Sequence, residues 1–281
     1  MKVCGVVVLY NPDDTVLVNI QSYIDEIDKL IVVDNSNEKG LLLDHNEKIL
    51  YQWMGKNVGL AAALNYGCNL ALEMKFDYVL TMDQDSFFDK GALRNLKEYL
   101  GSASIVAPNV RSLYWDNKDN CEKQAFIQYP IGRIVDKNWV MTSGCLMNLS
   151  DYEEVGGFDE KLFIGHIDID VGIKLRMRNK KIVVVGDSIL NQHFGNSQPR
   201  KILWKTVHPS FASPVREYYI FRNQVYLEKK YGKKVKKFIG VYLWKFVVKA
   251  VLFEDKKLTR LKMMIEGVRD GKNNVMGMYS R

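Results

Sequence analysis

Cysteine is scarce in this sequence, and its spacing argues against two classes of protein. The four cysteines, Cys4, Cys68, Cys121 and Cys145, are widely separated and form no C-x-x-C pair. This arrangement disfavours a zinc site and a disulfide framework, and it indicates a reducing, cytoplasmic environment. The sequence also lacks repeats, low-complexity tracts and linkers rich in Pro, Gly or Ser, so we expect a folded globular protein.

Long apolar runs are missing as well. The run that opens the chain, in MKVCGVVVLYNPDD, is shorter than a secretory signal requires, and we interpret it as a first strand. A second run, FIGVYLWKFVVKAVLF at 238–253, contains Lys245 and Lys249 and is too short and too charged to span a membrane. With 281 residues, 47% hydrophobic and 26% charged, the composition is that of a large soluble domain.

Positive charge is concentrated near the C-terminus. Residues 229–262 contain twelve lysines and arginines against two carboxylates, a net charge of +10, so the remainder of this +7 chain carries −3. The segment is typical of an interfacial helix that meets anionic lipid headgroups. A helix packed on the domain with a solvated basic face, or a homodimer interface, is the alternative. Nucleic acid is not expected as a partner, because no recognition motif accompanies these charges.

Hydrophobic periodicity predicts alternating strands and helices. Apolar runs favour strands at 3–10, 30–33, 78–80, 105–107, 123–129, 139–147 and 182–185. Patterns of 3.6 residues favour helices at 13–28, 57–74, 90–100, 167–178, 213–231, 235–253 and 255–269. This alternation predicts a parallel sheet with covering helices.

Three of the first four predicted strands end in polar clusters, which are Tyr10-Asn11, Asp34-Asn35 and Asp83-Gln84-Asp85. Because ligands bind at the carboxyl ends of strands in such sheets, we expect a site at this edge. The stretch TMDQDSF is the most specific part of it. Its two aspartates repel each other unless a metal ion, a basic side chain or water lies between them.

Eight segments together resemble the family 2 glycosyltransferases, in particular the bacterial rhamnosyltransferase branch. In chain order they are VVVLYNP, IVVDNSN, NVGLAAALNYG, TMDQDS, TSGCLMNLSDYEEVGGFDEKLFI, HIDIDVGIKLR, NQHFGNS and REYYIFRN. The resemblance implies an α/β protein of GT-A fold, with a mixed sheet and flanking helices. The GT-A domain is expected at 1–225, followed by a basic C-terminal helical segment at 226–281.

The resemblance also implies an inverting enzyme that uses a nucleotide-sugar donor with Mn²⁺ or Mg²⁺. TMDQDSF matches the family's D-x-D element, so Asp85 is expected to be the main metal ligand, with Asp83 nearer the ribose or a metal-bound water. Hard divalent cations prefer such oxygen ligands. His193, in NQHFGNS, resembles a histidine that completes the metal site, and a structural or solvent-exposed role is the alternative.

The donor contacts follow from the same resemblance. Asp34 matches the acidic residue that contacts the nucleoside, and Gln84 lies within the D-x-D element. The other expected base and ribose contacts are Tyr10, Asn11, Asn57, Gly59 and Asn65.

The catalytic base is expected at the start of the helix in HIDIDVGIKLR. Gly165 and His166 stand where the family commonly has carboxylates. We take Asp168 as the base, with His166 and Asp170 as rivals. The alternative is that the two aspartates only stabilise the helix N-terminus electrostatically.

The helix containing REYYIFRN is expected near the donor or acceptor. On it, Tyr219 and Phe221 are assigned to the core. Arg216, Arg222 and His208 are candidates to contact phosphate oxygens, since guanidinium groups match phosphate geometry.

With the resemblance, the sequence predicts transfer of rhamnose from dTDP-rhamnose to a cell-surface polysaccharide or lipid-linked glycan. The enzyme is expected in the cytoplasm, in contact with the inner face of the membrane. A UDP-hexose donor is the alternative within the family. The departure at positions 165 and 166 leaves an inactive nucleotide- or glycan-binding scaffold as a second alternative.

Overall fold

The computed structural model describes residues 1–40, 46–116, 119–193, 200–202, 205–207, 212–232, 235–240 and 242–280. The described strands are β1 (Val3–Leu9), β2 (Lys29–Asp34), β3 (Ile49–Trp53), β4 (Tyr78–Asp83), β5 (Ser86–Phe88), β6 (Ile105–Asp116), β7 (Cys121–Ile127), β8 (Ile134–Asp136), β9 (Cys145–Asn148), β10 (Ile182–His193), β11 (Arg200–Ile202) and β12 (Lys205–Val207). The described α-helices are α1 (Thr15–Gln21), α2 (Leu60–Glu73), α3 (Ala92–Lys97), α4 (Leu149–Glu154), α5 (Ile167–Met177), α6 (Pro214–Tyr231), α7 (Val235–Ile239), α8 (Leu243–Phe253) and α9 (Lys257–Lys272).

Ten of the strands form one mixed sheet, in the order β3-β2-β1-β4-β9-β6-β10-β5, with β7 paired to β6 and β8 to β10. The strands β3, β2, β1 and β4 are mutually parallel, as the alternation of strands and helices predicts. In the second half, β9 is antiparallel to both of its neighbours, and β6 pairs in parallel with β10. The all-parallel prediction is therefore wrong for this half, and the mixed sheet implied by the resemblance is confirmed.

Both faces of the sheet are buried, which explains why its strands are continuous apolar runs. Successive side chains of β1 alternate between two core clusters: Cys4, Val6 and Val8 pack in one, and Val7 and Leu9 in the other. Helices α2 and α5 contribute to the first cluster. Helix α3 and residues of α1 contribute to the second.

Several predicted elements have different bounds in the structure. The strand expected at 139–147 begins only at Cys145, because the chain turns just before it, with the Cys145 amide bonded to the Thr142 carbonyl. Conversely, β10 continues from Ile182 to His193, because β5 and β6 provide hydrogen-bonding partners along its length. The helix expected at 13–28 is α1 followed by a 3-10 turn at Ile24–Glu26.

The C-terminal helices pack closely against the sheet domain. The helix expected at 235–253 is divided into α7 and α8 at Gly240, whose φ of 66° lies in the left-handed region that favours glycine. The side chain of Ile239 is buried in the same core cluster as β1. Helix α9 packs along α6, and the Tyr218 hydroxyl donates to Asp270 Oδ2 at 2.9 Å. Across the described ranges, no helix is both long enough and apolar enough to cross a bilayer.

Candidate active site

A cleft with a volume of about 420 Å³ lies where the end of β4 and the end of β10 meet the starts of α5 and α6. Strand termini and helix N-termini converge there, so the lining is rich in polar side chains. They include Asp83, Asp85, His166, Asp168, Gln192, His193, Arg216 and Glu217. The cleft thus brings together the predicted D-x-D carboxylates and the first-choice base.

Asp83 is the last residue of β4, and the neighbouring strands fix its position. Its Oδ2 accepts a hydrogen bond from Gln192 Nε2 at 3.0 Å, and its amide donates to the Ser143 hydroxyl at 3.1 Å. Burial, together with the charge of Asp85, raises the pKa of Asp83 to about 7, although Arg216 and Gln192 oppose the rise. Full ionisation of this pair therefore needs additional positive charge.

Asp85 faces the open side of the cleft. Asp85 as a whole is exposed, but the surrounding protein desolvates its carboxylate and so raises its pKa. The charges of His193 and Arg216 act in the opposite direction and lower the pKa. The carboxylates of Asp83 and Asp85 are not fully neutralised by nearby positive charge, so they fit a hard divalent cation. In proteins such a cation often binds one or two carboxylates and completes its coordination shell with substrate phosphates. In the described ranges, no three His, Cys, Asp or Glu side chains are preassembled around a metal position.

His193 is the final residue of β10. It lines the cleft, and its Nε2 lies 2.8 Å from Glu122 Oε1 of β7. As a metal ligand the imidazole would bind through Nδ1 while Nε2 stays on Glu122, or through Nε2 after leaving Glu122. That role stays a prediction.

The D-x-D turn is joined to the loop after β1. The amide of Tyr10 donates to Gln84 Oε1 at 2.7 Å, and Gln84 Nε2 donates back to the Tyr10 carbonyl at 3.2 Å. The next amide, of Asn11, donates to the Ser36 hydroxyl at 2.8 Å. Gln84 thus positions the loop that carries Tyr10, whose exposed ring was predicted to contact the nucleotide base of the donor.

Asp34 ends β2 beneath this loop and is fully buried. Its carboxylate accepts from the Tyr51 hydroxyl at 2.5 Å and from the Ser36 amide at 3.0 Å. Burial acts to raise the pKa of Asp34, but the hydrogen bonds from Tyr51, Ser36 and the Gly40 amide outweigh it and lower the pKa. Asp34 is therefore held as a carboxylate.

Asn57 is hydrogen-bonded to Asn35, which follows Asp34, whereas Gly59 and Asn65 make contacts within the protein interior. Asn57 Oδ1 accepts from Asn35 Nδ2 at 3.1 Å. A Cβ at Gly59 would lie 2.5 Å from the Phe163 ring, so glycine is required for that contact. Asn65 donates to Phe158 O and Glu160 Oε1, both at 2.9 Å, and its Oδ1 accepts from two further groups. We therefore assign Asn65 to anchoring α2 and leave it out of the donor pocket.

The base candidates begin α5, after a sharp turn in which Gly165 and His166 have positive φ values of 78° and 62°. Asp168 faces the cleft, and its Oδ1 accepts from the Ile169 amide at 2.9 Å. Burial raises the pKa of Asp168 to about 6, against the lowering effects of the helix amides and Arg216. Burial lowers the pKa of His166 to about 4, so its imidazole is a weaker base than the Asp168 carboxylate.

Asp170 does not belong to the cleft, which corrects its place among the candidate bases. Its side chain is completely buried and pairs with Lys174 Nζ at 2.8 Å and Lys230 Nζ at 2.9 Å. The Tyr231 hydroxyl donates to it at 2.7 Å. The side chain points away from Asp168 because residues two apart lie on different faces of a helix. Asp170 therefore fastens α5 to α6.

The Asp170→Asn variant is expected to be less stable by about 2–4 kcal/mol, because Lys174 and Lys230 lose their shared buried counter-charge. Urea unfolding of the variant and the parent would measure the difference. The folded variant should keep the parent's rate of sugar transfer. Unchanged stability with lost transfer would instead place Asp170 in the chemistry.

Helix α6 supplies one of its two candidate arginines to the site. Arg216 is exposed in the cleft, and its charge acts on Asp83, Asp85 and Asp168. Arg222 is fully buried and donates to the Leu162 carbonyl at 2.8 Å, so the predicted phosphate contact is wrong for it. Tyr219 and Phe221 are core residues, as predicted. His208 lies outside the described residues.

Two contacts of Asp83 were missed from the sequence. Gln192 and Ser143 belong to quoted motifs, but their side chains reach Asp83 only because β9 and β10 are ordered as they are in the sheet. A longer strand prediction at 182–193, with its alternation of side chains, would have placed Gln192 near the strand end.

Comparison with known proteins decides the family. The family model described as Glycosyl transferase family 2 matches residues 5–149, more than half of the chain. The chain belongs to glycosyl transferase family 2. A curated relative, the dTDP-rhamnosyl transferase RfbF of Shigella flexneri, is 27% identical over 246 residues, which cover 82% of this glycosyltransferase and 80% of the relative. The predicted resemblance is thereby confirmed.

Solved structures confirm the GT-A fold of this glycosyltransferase. GalNAc-T7, crystallised with UDP, GalNAc and Mn²⁺, superimposes with a TM-score of 0.56 at 12% identity, covering 98% of this chain and 56% of that one. TarS 1–349 of S. aureus, in complex with UDP-GlcNAc, gives a TM-score of 0.59 at 13% identity, covering 96% of this chain and 80% of that one. The glycosyltransferase thus spans little more than half the length of the GalNAc-T7 chain.

Proposed function

We propose that this glycosyltransferase moves rhamnose from dTDP-rhamnose onto a lipid-linked or cell-surface glycan, with inversion and with the help of a divalent metal. The observation that carries the proposal is the meeting of Asp83, Asp85 and Asp168 at one cleft beside Arg216. The choice of donor is supported by the relative named as a dTDP-rhamnosyl transferase.

In the proposed reaction, Asp168 takes the proton from the acceptor hydroxyl as its oxygen attacks the anomeric carbon of the donor. A new glycosidic C–O bond forms while the bond from that carbon to the diphosphate oxygen breaks, and dTDP leaves. A pKa of about 6 leaves Asp168 ionised at neutral pH and still basic enough to accept a proton. Attack on the face opposite the leaving group inverts the configuration.

The remaining side chains hold and neutralise the donor. The cradle of Asp34, Asn57 and the Tyr10 loop would take the nucleoside. Arg216, exposed in the cleft, would pair with diphosphate oxygens. Asp83 and Asp85 would hold Mn²⁺ or Mg²⁺, which when bound stabilises the negative charge that develops on the leaving diphosphate.

Donor turnover in water tests this function without a known acceptor. The purified protein should slowly release dTDP from dTDP-rhamnose when Mn²⁺ is present, because water can replace the acceptor hydroxyl. UDP-glucose and UDP-N-acetylglucosamine are the comparison donors, since two of the structural relatives were crystallised with UDP or a UDP-sugar. Preference for a UDP-sugar would move the assignment to a UDP-hexose transferase. Binding of nucleotide without any turnover would favour the inactive scaffold.

We further propose that the basic segment 226–281 contacts an anionic membrane surface through α8. Trp244 and Leu252 are 61% and 58% exposed, and Ala250 is the one residue of α8 within the described ranges that is buried. Lys245 lies among these apolar side chains on the same helix. Exposed apolar groups interleaved with lysine complement a bilayer of anionic headgroups.

Co-sedimentation with vesicles tests this surface. Binding should increase with the fraction of phosphatidylglycerol in phosphatidylcholine vesicles and decrease with added salt. The double variant Trp244→Ala, Leu252→Ser should bind about tenfold more weakly, because it loses buried apolar area. Equal binding of parent and variant, or binding that ignores lipid charge, would remove the membrane role.

A further inference from the structure

A second cavity, with a volume of about 460 Å³, lies beside the catalytic cleft. Its floor is the sheet at β6 and β10, and its walls are the segment 137–143 and the end of α7. The Trp139 indole holds these walls together, since its Nε1 donates to the Ile239 carbonyl at 2.9 Å. The size falls within the range of about 300–1,000 Å³ typical of small-molecule sites.

The chemistry of the second cavity differs from that of the cleft. Aromatic side chains of Tyr129, Trp139 and Phe238 line it, together with the polar side chains of Gln128, Lys137 and Asn138. Among the residues that the structure describes, its lining contains no carboxylate, whereas that of the cleft contains four. Aromatic surface with the amide side chains of Gln128 and Asn138 suits a ligand that has apolar faces and many hydroxyls. The one cation in the described lining, Lys137, has its Nζ over the Tyr129 ring, 5.1 Å from the centroid, and repels a metal ion.

The wall of the second cavity also contains backbone amides that do not donate to other described residues. From 138 to 143, no backbone amide donates a hydrogen bond to another described residue. These residues form no helix or strand, so sheet pairing does not occupy their amides. Asn138 is exposed and residues 139–142 are partly buried, so a ligand or solvent can accept hydrogen bonds from this strip.

The second cavity is physically joined to the reacting groups. Met141 lines both the second cavity and the cleft, so the two spaces share a wall. The hydroxyl of Ser143, another lining residue, accepts the hydrogen bond from the Asp83 amide. On the other side, Trp139 packs on α5, the helix whose first turn contains Asp168. A Cβ at Gly172 would lie 2.6 Å from Trp139 Cβ.

We propose that the second cavity binds a sugar ring of the acceptor, with the reacting hydroxyl directed past Met141 toward Asp168. The inference rests on the proposed function and adds to it the acceptor's place and class, a neutral saccharide. It also assigns a role to the C-terminal segment, because the end of α7 forms one wall of the proposed acceptor site.

Saturation-transfer NMR with the methyl glycosides of rhamnose, glucose, galactose and N-acetylglucosamine tests the proposal, in the presence of dTDP and Mg²⁺. At least one glycoside should receive saturation from the parent protein. The Val140→Trp variant, which fills the second cavity, should lose that signal. Tyr129→Ala should weaken the affinity about tenfold. A matched control is Met177→Trp, which adds the same ring at a position that is 69% exposed.

Each outcome bears on a separate part of the proposal. Loss of the signal in Val140→Trp, with dTDP binding and donor turnover in water unchanged, supports the second cavity as the acceptor site. A signal that survives in Val140→Trp overturns it, as does a parent protein that binds dTDP but none of the glycosides. In both of those cases the proposed function stands. Failure of dTDP itself to bind would overturn the function and this inference with it.

Discussion

The Asp168→Asn variant is expected to transfer sugar about 10²–10⁴-fold more slowly than the parent, the usual contribution of a general base. Asparagine preserves the size and the hydrogen bond of the side chain to the Ile169 amide, but it cannot accept the acceptor's proton at neutral pH. Binding of dTDP should remain within about twofold of the parent, because Asp168 takes no part in the proposed donor contacts. Single-turnover rates with saturating donor, beside titrations of dTDP, would measure both quantities.

The pH profile provides a second readout for Asp168. Its pKa is raised to about 6, and the reactive form is the carboxylate, so transfer should fall as the pH drops through about 6. Asp83, with a pKa of about 7, causes a second loss of the transfer rate at low pH, because protons and metal ions compete for its carboxylate. Raising the Mn²⁺ concentration should move the loss of rate caused by Asp83 to lower pH and leave the loss caused by Asp168 at the same pH.

Asp170→Asn is the matched control, since it makes the same chemical change two residues further along the same helix. It should lower stability and spare the rate, the opposite of Asp168→Asn. If Asp168→Asn transferred sugar at the parent's rate, Asp168 would be no base, and its place at the start of α5 would be explained by the helix N-terminus alone.

The Asp85→Ala variant is expected to lose metal-dependent transfer, by at least about a hundredfold. Loss of a mere supporting partner of a metal ligand costs about 10–100-fold, and removal of a ligand itself should cost more. Asp83 alone should not compensate, because it supplies one of the two proposed carboxylate ligands and its Oδ2 also accepts a hydrogen bond from Gln192 Nε2. The rate should be measured over a range of Mn²⁺ concentrations, where the variant is expected to require far more metal for half-maximal activity.

Glu98→Ala is a suitable control for Asp85→Ala, because it removes an exposed carboxylate that follows α3 and lies outside the cleft. It should leave the rate and the metal requirement unchanged. An Asp85→Ala protein that kept the parent's metal response would show that the D-x-D carboxylates do not hold the ion, and the metal-dependent mechanism would have to be abandoned.

The N-terminal half of the fold was predictable because its strands are buried on both faces. Such strands appear in the sequence as continuous β-branched runs, as in β1, β2 and β4. Strand β3 was missed for the opposite reason: it lies at the sheet edge, where Leu50 and Trp53 are exposed and the apolar pattern is broken. The all-parallel prediction failed because the direction of β9 depends on a chain reversal before Cys145 that local periodicity does not encode.

The candidate site was likewise predictable only in part from the sequence. The ends of β2 and β4 located Asp34, Asp83 and Asp85 in advance, because polar residues that follow a buried run mark the active edge of the sheet. Burial separated candidates that the sequence could not rank. Asp168 and Asp170 have equivalent local sequence, but only the packing of α6 shows that Lys230 neutralises Asp170 and leaves Asp168 to the cleft. Arg216 and Arg222 are distinguished in the same way.

Calorimetric titration of the purified protein with dTDP, with and without Mn²⁺, tests the central claim most directly. UDP, GDP and CDP serve as comparisons under the same conditions. The account predicts that dTDP binds only when Mn²⁺ is present, and more tightly than the other three nucleotides. Failure of the folded protein to bind any of the four with Mn²⁺ would contradict it, since Asp83 and Asp85 would then be structural residues and not part of a donor site.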